Sequence, residues 1–449
     1  MKKILILGAG LVAQPIIRVM LEKDYYVTVT DVTDEQPRKL TKGHPNANPI
    51  AWSVDDEATL DKLVAEHDLT VSLIPWVFHP IVAKACVRQK RNLLTCSYVK
   101  PAMAELDKAA KEAGIILLNE CGLDPGIDHM GAMRVIDHIH AKGGKVKQFY
   151  SLCGALPAPE DNDNLFGYKF SWSPKGVVLA SSSSALYLKH GKRIEIDNEN
   201  LFKDRFVVND FPTVGPMECY PNRDSISYLD IYGIQEAETI YRGTLRYAHW
   251  CEILDAIKAC NLITQDKFDF TGMSYADMVA FMLGTDANDI RAKVAAKAKV
   301  AVDSPAIKGM EWLGLFSEEK MNLSTESPFE VIAKLMIDKM PLHENEKDMN
   351  VMLHVFHAVY PDGKEEVIKS KLLDFGSPAT ETSIARNVTL PAAVAAELIL
   401  EGKLDHLKGV HRPTIPDLYN PILNGLVPYG IEMKEEYGLP VSEMDNYLK

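Results

Sequence analysis

Three small residues at fixed spacing, Gly8, Gly10 and Ala13, stand between an apolar stretch and a segment with helical spacing. This G-x-G-x-x-A pattern is typical of the turn that binds the pyrophosphate of a dinucleotide. The first glycine permits the tight turn, the second lets the backbone approach the phosphates, and the alanine allows close packing. Free N–H groups at the start of the following helix favour anions. The residues predicted to bind the pyrophosphate are Gly8, Ala9, Gly10, Leu11, Val12 and Ala13.

An acidic residue, Asp31, ends the second predicted strand of this region. A carboxylate at that place can bind both ribose hydroxyls of NAD and would repel the 2′-phosphate of NADP. A solvent-facing turn is the alternative, because the run DVTDEQP has a turn-like composition. No arginine directly follows Asp31, and Arg38 lies further along the chain. The sequence therefore favours NAD as the cofactor, with NADP as the alternative.

Short apolar runs alternate with amphipathic segments over the first 125 residues. Strands are predicted at KKILILG, YYVTVTD, PIAWS, LTVSLIP, NLLTCSY and IILLNE. Helices are predicted at Pro15–Lys23, Thr59–Glu66, Pro80–Gln89 and Pro101–Glu112. Apolar strands that alternate with helices indicate a parallel sheet covered on both faces. The predicted fold class is therefore α/β, with a Rossmann-type doubly wound parallel sheet.

Polar residues follow several of these strands, at the sheet edge where α/β proteins bind ligands. Three strand ends should border one crevice: Ser72–Trp76, Cys96–Tyr98 and Asn119–Asp124. Residues predicted to contact the cofactor there are Ile74, Pro75, Cys96 and Leu123. Residues predicted to contact the substrate there are Ser97, Tyr98 and Asp124.

Asp124 has a second interpretation, because it directly precedes Pro125 and Gly126. Aspartate is a favoured N-cap and proline suits the first helical position, so Asp124 could simply begin a helix. Its position at a strand end favours a functional role, and both roles can coexist. Asp128 would lie in the first helical turn and complement the helix dipole.

Beyond about residue 125 the strands are isolated and separated by long loops, which predicts an inserted mixed α+β substrate and dimerisation domain. Residues 251–344 read as a mainly helical subdomain, and a hairpin is predicted with its turn at Pro361–Lys364. The predicted dinucleotide-binding domain is 1–124 plus about 380–449. The predicted substrate-binding and dimerisation domain is 125–250 plus about 345–380.

Net charge, cysteine content and hydrophobicity exclude several kinds of partner and site. The net charge of −13 argues against a nucleic-acid partner, which would need a basic face. Seven scattered cysteines without metal-type spacing predict neither a disulfide framework nor a metal site, and a cytoplasmic location is expected. No run of eighteen apolar residues occurs, so no membrane span is predicted.

Several longer motifs together resemble the family of saccharopine reductases, the glutamate-forming saccharopine dehydrogenases. These motifs are CSYVKPAM, ECGLDPGIDH, CGALPAPEDNDN, GYKFSWSPKGV, CYPNRDS, RGTLRY and ARNVTLPAA. The resemblance runs in the family's order from Gly8 to about Tyr247, and the block ARNVTLPAA at Ala385–Ala393 continues it. It departs from the fungal members just after the second strand, where they carry an arginine and this chain has Val32.

The resemblance implies an enzyme that joins glutamate to 2-aminoadipate 6-semialdehyde through an imine, which a nicotinamide hydride reduces, or the reverse oxidation of saccharopine. The family's ionisable groups near the substrate match Asp124, Tyr98 and Cys153. The family's substrate-carboxylate arginine matches Arg223. Its Gly-Thr-Leu-Arg segment matches Gly243–Arg246, which contains the expected substrate-binding residues Thr244, Leu245 and Arg246. The expected partner is a small anionic amino-acid substrate, and a homodimer is expected.

Each assignment has a structural alternative. Tyr98 could be a buried aromatic residue with a satisfied hydroxyl, Cys153 a small buried apolar residue, and each arginine part of a surface ion pair. Two alternative functions also remain: a carboxynorspermidine-type dehydrogenase and a non-catalytic NAD-binding homologue.

Overall fold

The computed structural model describes residues 1–172, 174–378 and 381–447. The chain divides into two compact units. The first contains Met1–Gly144 and Ser370–Glu435, and the second contains Lys145–Lys369 and the described residues from Glu436 onward. The predicted helical segment 251–344 lies within the second unit. The three-domain division expected from the sequence stays a prediction.

The strands of the described residues are β1 (Lys3–Leu7), β2 (Tyr26–Asp31), β3 (Ala47–Ala51), β4 (Leu69–Ser72), β5 (Asn92–Thr95), β6 (Ile116–Leu118), β7 (Lys145–Pro157), β8 (Ala185–Lys189), β9 (Lys192–Ile196), β10 (Phe206–Val208), β11 (Met217–Pro221), β12 (Thr239–Arg246), β13 (Phe268–Asp269), β14 (Thr325–Glu326), β15 (Asp348–Val359), β16 (Glu365–Phe375), β17 (Gly409–His411) and β18 (Lys434–Leu439).

The α-helices of the described residues are α1 (Gln14–Glu22), α2 (Glu35–Thr41), α3 (Glu57–Glu66), α4 (His79–Gln89), α5 (Pro101–Ala104), α6 (Asp107–Ala113), α7 (Ile127–Ala141), α8 (Pro174–Ala180), α9 (Tyr228–Tyr232), α10 (Trp250–Ala259), α11 (Tyr275–Leu283), α12 (Ile290–Ala298), α13 (Pro305–Leu313), α14 (Pro328–Lys339), α15 (Ser383–Leu400) and α16 (Pro416–Leu426).

A parallel sheet forms the centre of the first unit. Its strands follow the order β17-β6-β5-β4-β1-β2-β3 among the described residues, and each neighbouring pair is parallel. The residues of β4 and β6 are buried throughout, as expected for strands covered on both faces. The order reverses between β1 and β4, which is where doubly wound sheets bind ligands. The predicted α/β fold is confirmed.

The helix α15 belongs to the core of the first unit. Its 18 residues would suffice to cross a membrane by length and composition, but 83% of this stretch is buried inside the protein. It packs on α1 and against β4 and β5. The helix begins at Ser383, because the Thr382 side chain caps it, and it accommodates Pro391 in its interior.

A mixed sheet forms the centre of the second unit. Its strand order is β10-β11-β12-β7-β15-β16-β18, and β8 pairs with β12 and β9. The strands β12 and β7 are parallel, whereas β11–β12 and β7–β15 are antiparallel. The helices α10–α14 fall within the segment predicted to be helical, and the hairpin β15–β16 turns between Tyr360 and Lys364 as predicted.

Local differences from the predicted elements occur in the first unit. The helix predicted at Pro101–Glu112 is two helices, α5 and α6, because the Leu106 N–H bonds to the Met103 carbonyl and tightens the chain there. The run after Asp31, predicted as a turn, contains the helix α2. The strand predicted at PIAWS is β3, which lies slightly earlier.

Candidate active site

The loop between β1 and α1 has the geometry that a pyrophosphate requires. Gly8 has φ +102°, and a Cβ added there would lie 3.0 Å from the backbone carbon of Leu73. Gly10 is exposed, and a Cβ added there would meet no protein atom within 4 Å. Ala13 is fully buried, as close helix–strand packing demands. The loop therefore fits a dinucleotide, with room beside Gly10 for its phosphates.

The Asp31 carboxylate stabilises this loop through hydrogen bonds to its backbone. Its Oδ2 accepts a hydrogen bond of 2.9 Å from the Ala9 N–H, and its Oδ1 accepts one of 2.7 Å from the Val32 N–H. The carboxylate therefore points toward the glycine loop, which argues against the solvent-facing alternative. The guanidinium of Arg38 is paired with Asp34 at 2.7 Å.

Tyr98 and Asp124 are brought together by the ends of β5 and β6. The Tyr98 hydroxyl donates a hydrogen bond of 2.6 Å to Asp124 Oδ1. The helix α7 begins later, with Gly126 as its N-cap residue. Asp124 is therefore not the N-cap that the second interpretation made it, since Gly126 holds that position. The Gly126 N–H donates to Asp128 Oδ1 at 2.5 Å. Asp128 is fully buried, so it is a local acceptor and not a surface charge.

A cavity of about 240 Å³ opens at the same strand ends. Residues after β4, β5 and β6 line it, among them Trp76, Val77, Pro80, Tyr98, Lys100 and Asn119. The crevice predicted from the strand ends is therefore present in the first unit, and Tyr98 is part of its wall.

The other predicted cofactor contacts differ in accessibility. Pro75 is exposed, Ile74 is half-buried and Leu123 is buried. The Cys96 thiol lies 3.3 Å from the Cys121 carbonyl and 3.2 Å from the Val388 carbonyl. Burial raises the pKa of Cys96 to about 12, so it stays a neutral thiol.

The sequence reasoning missed His79, whose ring joins the ends of β4 and β5. Its Nδ1 lies 2.8 Å from Ser72 Oγ, and its Nε2 lies 2.8 Å from Ser97 Oγ and 3.1 Å from Thr95 Oγ1. Burial lowers the pKa of His79 to about 4, so the ring is neutral. The one available signal was its position, directly after a predicted strand end.

Glu120 was also missed, although it stands at a predicted strand end. Its side chain is buried, and Oε1 accepts hydrogen bonds from the Val99 N–H at 2.7 Å and from Arg412 Nε at 2.8 Å. His129 Nε2 lies 2.7 Å from Oε2. No sequence pattern links Glu120 to Arg412, because the two residues are 292 positions apart.

In the second unit, Cys153 and Thr244 are direct neighbours across the parallel pair β7–β12. Arg246 lies two residues further along β12 and therefore on the same sheet face as Thr244. Leu245 points to the opposite face and is fully buried. Cys153 is half-buried, in contrast to the small buried residue of the structural alternative.

Arg246 is nearly enclosed, with 5% of its surface exposed. Its guanidinium carbon lies 5.1 Å from the centre of the Tyr168 ring and 5.3 Å from that of Trp250. Its Nη1 donates to the Leu245 carbonyl at 2.8 Å. Aromatic rings of this kind hold a guanidinium in place without using its donors.

Arg223 is exposed and follows the end of β11 with φ +52°. The Asn222 N–H bonds to the Arg242 carbonyl at 2.8 Å, so the Arg223 backbone lies beside the first half of β12. Arg246 stands at the end of that strand, four residues beyond Arg242. Arg242 itself is buried, with its guanidinium carbon 4.3 Å from the centre of the Tyr228 ring.

The predicted residues thus form two groups, one in each unit. The first unit assembles the glycine loop, Asp31 and the Tyr98–Asp124 pair. The second unit brings Cys153, Thr244 and Arg246 onto one sheet face, with Arg223 at the end of a neighbouring strand.

Two family models match the chain. The model described as the saccharopine dehydrogenase C-terminal domain matches residues 122–431, and the one described as the saccharopine dehydrogenase NADP binding domain matches residues 4–118. Together they cover both units, and the resemblance predicted from the motifs is confirmed.

Relatives of known name agree with the family models. The saccharopine dehydrogenase (NADP(+), L-glutamate-forming) of Schizosaccharomyces pombe is 38% identical, with 97% of this chain and 99% of that protein aligned. The mitochondrial alpha-aminoadipic semialdehyde synthase of Bos taurus is 37% identical, and the alignment spans 96% of this chain and 47% of that protein.

A solved structure agrees as well. The apo, histidine-tagged saccharopine dehydrogenase (L-Glu forming) from Saccharomyces cerevisiae matches with a TM-score of 0.90 and 37% sequence identity. The match covers 97% of this chain and 100% of that one. Motifs, family models and structural likeness therefore lead to one conclusion: the chain belongs to the saccharopine dehydrogenase family, in its L-glutamate-forming branch.

Proposed function

We propose that the protein interconverts saccharopine with L-glutamate and 2-aminoadipate 6-semialdehyde, using a nicotinamide dinucleotide. The observation that carries this proposal is the 2.6 Å hydrogen bond between Tyr98 and Asp124 at the ligand-binding edge of a dinucleotide-type sheet. The fungal relatives are named as L-glutamate-forming saccharopine dehydrogenases, which supports the same reaction. A carboxynorspermidine-type reaction is not favoured by these names.

Asp124 is the proton-transfer group in this proposal. When bound, the nicotinamide exchanges a hydride with the carbon that becomes the aldehyde carbon. Asp124 accepts the proton that the substrate nitrogen loses as its C=N bond forms. Asp124 releases that proton to solvent and then takes one from the water that adds to the C=N bond. It returns this proton to the nitrogen, the carbinolamine hydroxyl loses its own proton to solvent, and the C–N bond breaks. The aldehyde forms and glutamate leaves as the amine. Tyr98 orients the carboxylate through its hydroxyl, and Cys153 contacts the substrate nitrogen or the water.

The arginines of the second unit bind substrate carboxylates in this proposal. Saccharopine carries three carboxylates, and a guanidinium offers paired donors that match a carboxylate. The enclosed position of Arg246 supports this role, because few solvent molecules compete for its donors. Arg223 and Arg246 lie at different points along the sheet, which suits a long ligand with carboxylates toward both ends.

The cofactor that we propose is NAD. The Asp31 carboxylate beside Ala9 would face the ribose and repel a 2′-phosphate, and Arg38 is already paired with Asp34. The names of the fungal relatives and of the N-terminal family model point to NADP instead. A direct comparison of the two cofactors is therefore required.

The test follows formation of the reduced nicotinamide by absorbance, with saccharopine and either NAD or NADP at matched concentrations. We expect turnover with both products formed, and kcat/KM about tenfold or more higher with NAD, since like charges at a binding interface cost several kcal/mol. Asp31→Asn keeps one acceptor and removes the charge, so it should raise kcat/KM with NADP.

The outcomes separate the two parts of the proposal. Turnover with NADP alone would keep the reaction and overturn the cofactor preference. No turnover with either cofactor, in protein that binds NADH, would overturn the proposed reaction. It would favour the carboxynorspermidine-type dehydrogenase or the non-catalytic NAD-binding homologue.

A further inference from the structure

Glu120 contacts the segment Ser97–Val99 on both sides of Tyr98. Its backbone N–H donates to the Ser97 carbonyl at 3.2 Å, and its carboxylate accepts the Val99 N–H at 2.7 Å. The peptide groups that precede and follow Tyr98 are therefore both held by one residue. The direction in which the Tyr98 side chain leaves the backbone is set by these two bonds.

The backbone of Glu120 is unusual. Its φ is +60°, a left-handed conformation that is strained for a residue other than glycine. In this conformation both its N–H and its carboxylate reach the same loop. A strained residue of this kind persists only when its surroundings hold it, and such residues concentrate at functional sites.

The Glu120 carboxylate is buried and charged. Burial alone would raise the pKa of Glu120, but the contacts with His129, Arg412 and the Val99 N–H outweigh burial and hold that pKa below its usual value. An ionised acceptor binds a backbone N–H about twice as strongly as a neutral one. Arg412 follows β17 and His129 lies on α7, so the carboxylate joins four chain segments at the sheet edge.

Asp124 belongs to the same short segment as Glu120. The two residues are four positions apart, between the end of β6 and the start of α7. A displacement of Glu120 would therefore move both partners of the Tyr98–Asp124 hydrogen bond, Tyr98 through Ser97 and Val99 and Asp124 through the chain itself.

We propose that Glu120, held by His129 and Arg412, is a positioning residue that sets the geometry of the Tyr98–Asp124 pair. It does not touch the substrate. The inference rests on the proposed function, because the pair that Glu120 positions is the proposed proton-transfer pair.

The test is a double-mutant cycle in the full-length protein with saccharopine. Glu120→Gln keeps an oxygen for the Val99 N–H and loses the charge that His129 and Arg412 need. We expect kcat to fall about 10- to 100-fold, as for a small misplacement of reacting groups. KM should change less than about threefold. In a Tyr98→Phe background the same change should cost at least about threefold less than in wild type, because the part that acts through the Tyr98 hydroxyl is lost while the part that acts through Asp124 remains.

The matched control is Asp137→Asn, which changes a carboxylate to an amide on the same helix as His129. Asp137 accepts the Tyr419 hydroxyl at 2.6 Å and has no role in holding Tyr98. This control should leave kcat within about twofold of wild type. An equal loss from Glu120→Gln in both backgrounds would mean a merely structural role and would overturn the proposal.

A second variant guards against loss of folding. Arg412→Gln removes one partner of Glu120 from a side chain that is 33% exposed, so the fold should tolerate it. We expect about a tenfold loss of kcat that is again clearly smaller in the Tyr98→Phe background. A fully folded Arg412→Gln protein with wild-type kcat would contradict the role of the network.

Amide hydrogen exchange tests the contact without any turnover. In Glu120→Ala the Val99 amide loses its acceptor, and its protection should fall at least about tenfold, as expected for a hydrogen bond to a charged group. If wild-type protein does not oxidise saccharopine, the proposed function fails and this measurement alone judges the positioning role. Unchanged exchange at Val99 would overturn it.

Discussion

At the scale of single residues, the hydrogen bond from Tyr98 to Asp124 joins two polar side chains into one pair. The bond orients the Asp124 carboxylate, and Tyr98 lines the cavity at the strand ends. Proton transfer by one positioned residue contributes about a hundred- to ten-thousandfold to a rate. Asp124 is the group from which the largest single loss is expected.

Asp124→Asn should lower kcat about 10²- to 10⁴-fold, because an amide cannot accept the proton of the substrate nitrogen. The amide oxygen can still accept the Tyr98 hydroxyl, so the fold and the affinity for NADH should be retained. Steady-state kinetics and a fluorescence titration with NADH measure both quantities. A variant with wild-type kcat would exclude Asp124 as the proton-transfer group.

His79 should make stability depend on pH. Burial lowers its pKa from 6.5 to about 4, so only the unfolded chain takes up a proton between these values. The stability that the neutral ring provides is complete above about pH 6.5 and is lost as the pH falls toward 4. The loss amounts to about 3 kcal/mol.

Denaturant unfolding of wild type and His79→Gln at pH 7 and pH 4 measures this effect. The other titrating groups are common to both proteins. The advantage of wild type over the variant should shrink as the pH falls. Equal pH slopes for the two proteins would show that His79 is not held neutral in the fold.

Among the elements, the β1–α1 loop and the strand ends were predictable because they depend on local rules. Glycine spacing predicts a turn, and apolar runs predict buried strands. Gly8, Gly10 and the strand ends could therefore be identified from the sequence. Glu120 was not, because its role depends on a left-handed backbone and on a partner far along the chain. Residues with such long-range partners carry no local signal.

Two glycines of one loop should respond differently to the same change. Gly10→Ala adds a methyl group where no protein atom lies within 4 Å, so thermal stability should be unchanged while affinity for NADH falls at least about tenfold. Gly8→Ala combines a φ of +102° with a Cβ 3.0 Å from Leu73, and should cost about 1–3 kcal/mol of folding free energy.

Thermal unfolding and NADH titration of both variants separate space needed by the ligand from space needed by the fold. Wild-type affinity in Gly10→Ala would place the pyrophosphate elsewhere. Wild-type stability in Gly8→Ala would mean that the close approach of the loop to Leu73 is not required for folding.

For the whole molecule, the class of fold followed from the sequence, but the assembly of each unit did not. The motif RGTLRY gave Thr244 and Arg246 as candidates by resemblance alone. Their shared sheet face with Cys153 follows from the register of β7 and β12, strands joined by a long intervening segment. Strand register across such a distance depends on packing of the whole sheet, which a single sequence does not reveal.

The discontinuous first unit has a consequence for synthesis on the ribosome. Its helix α1 lacks the covering α15 until the chain has grown past Leu400, and its central sheet lacks β17 until the chain has grown past His411. About 270 residues separate Gly144 from His411, which at 5–20 residues per second corresponds to roughly 13–53 s. During that interval the apolar faces of α1 and β6 await partners not yet made, while the residues of the second unit emerge. The nascent chain must therefore keep the unfinished first unit in solution until the residues from Ser370 onward have been made.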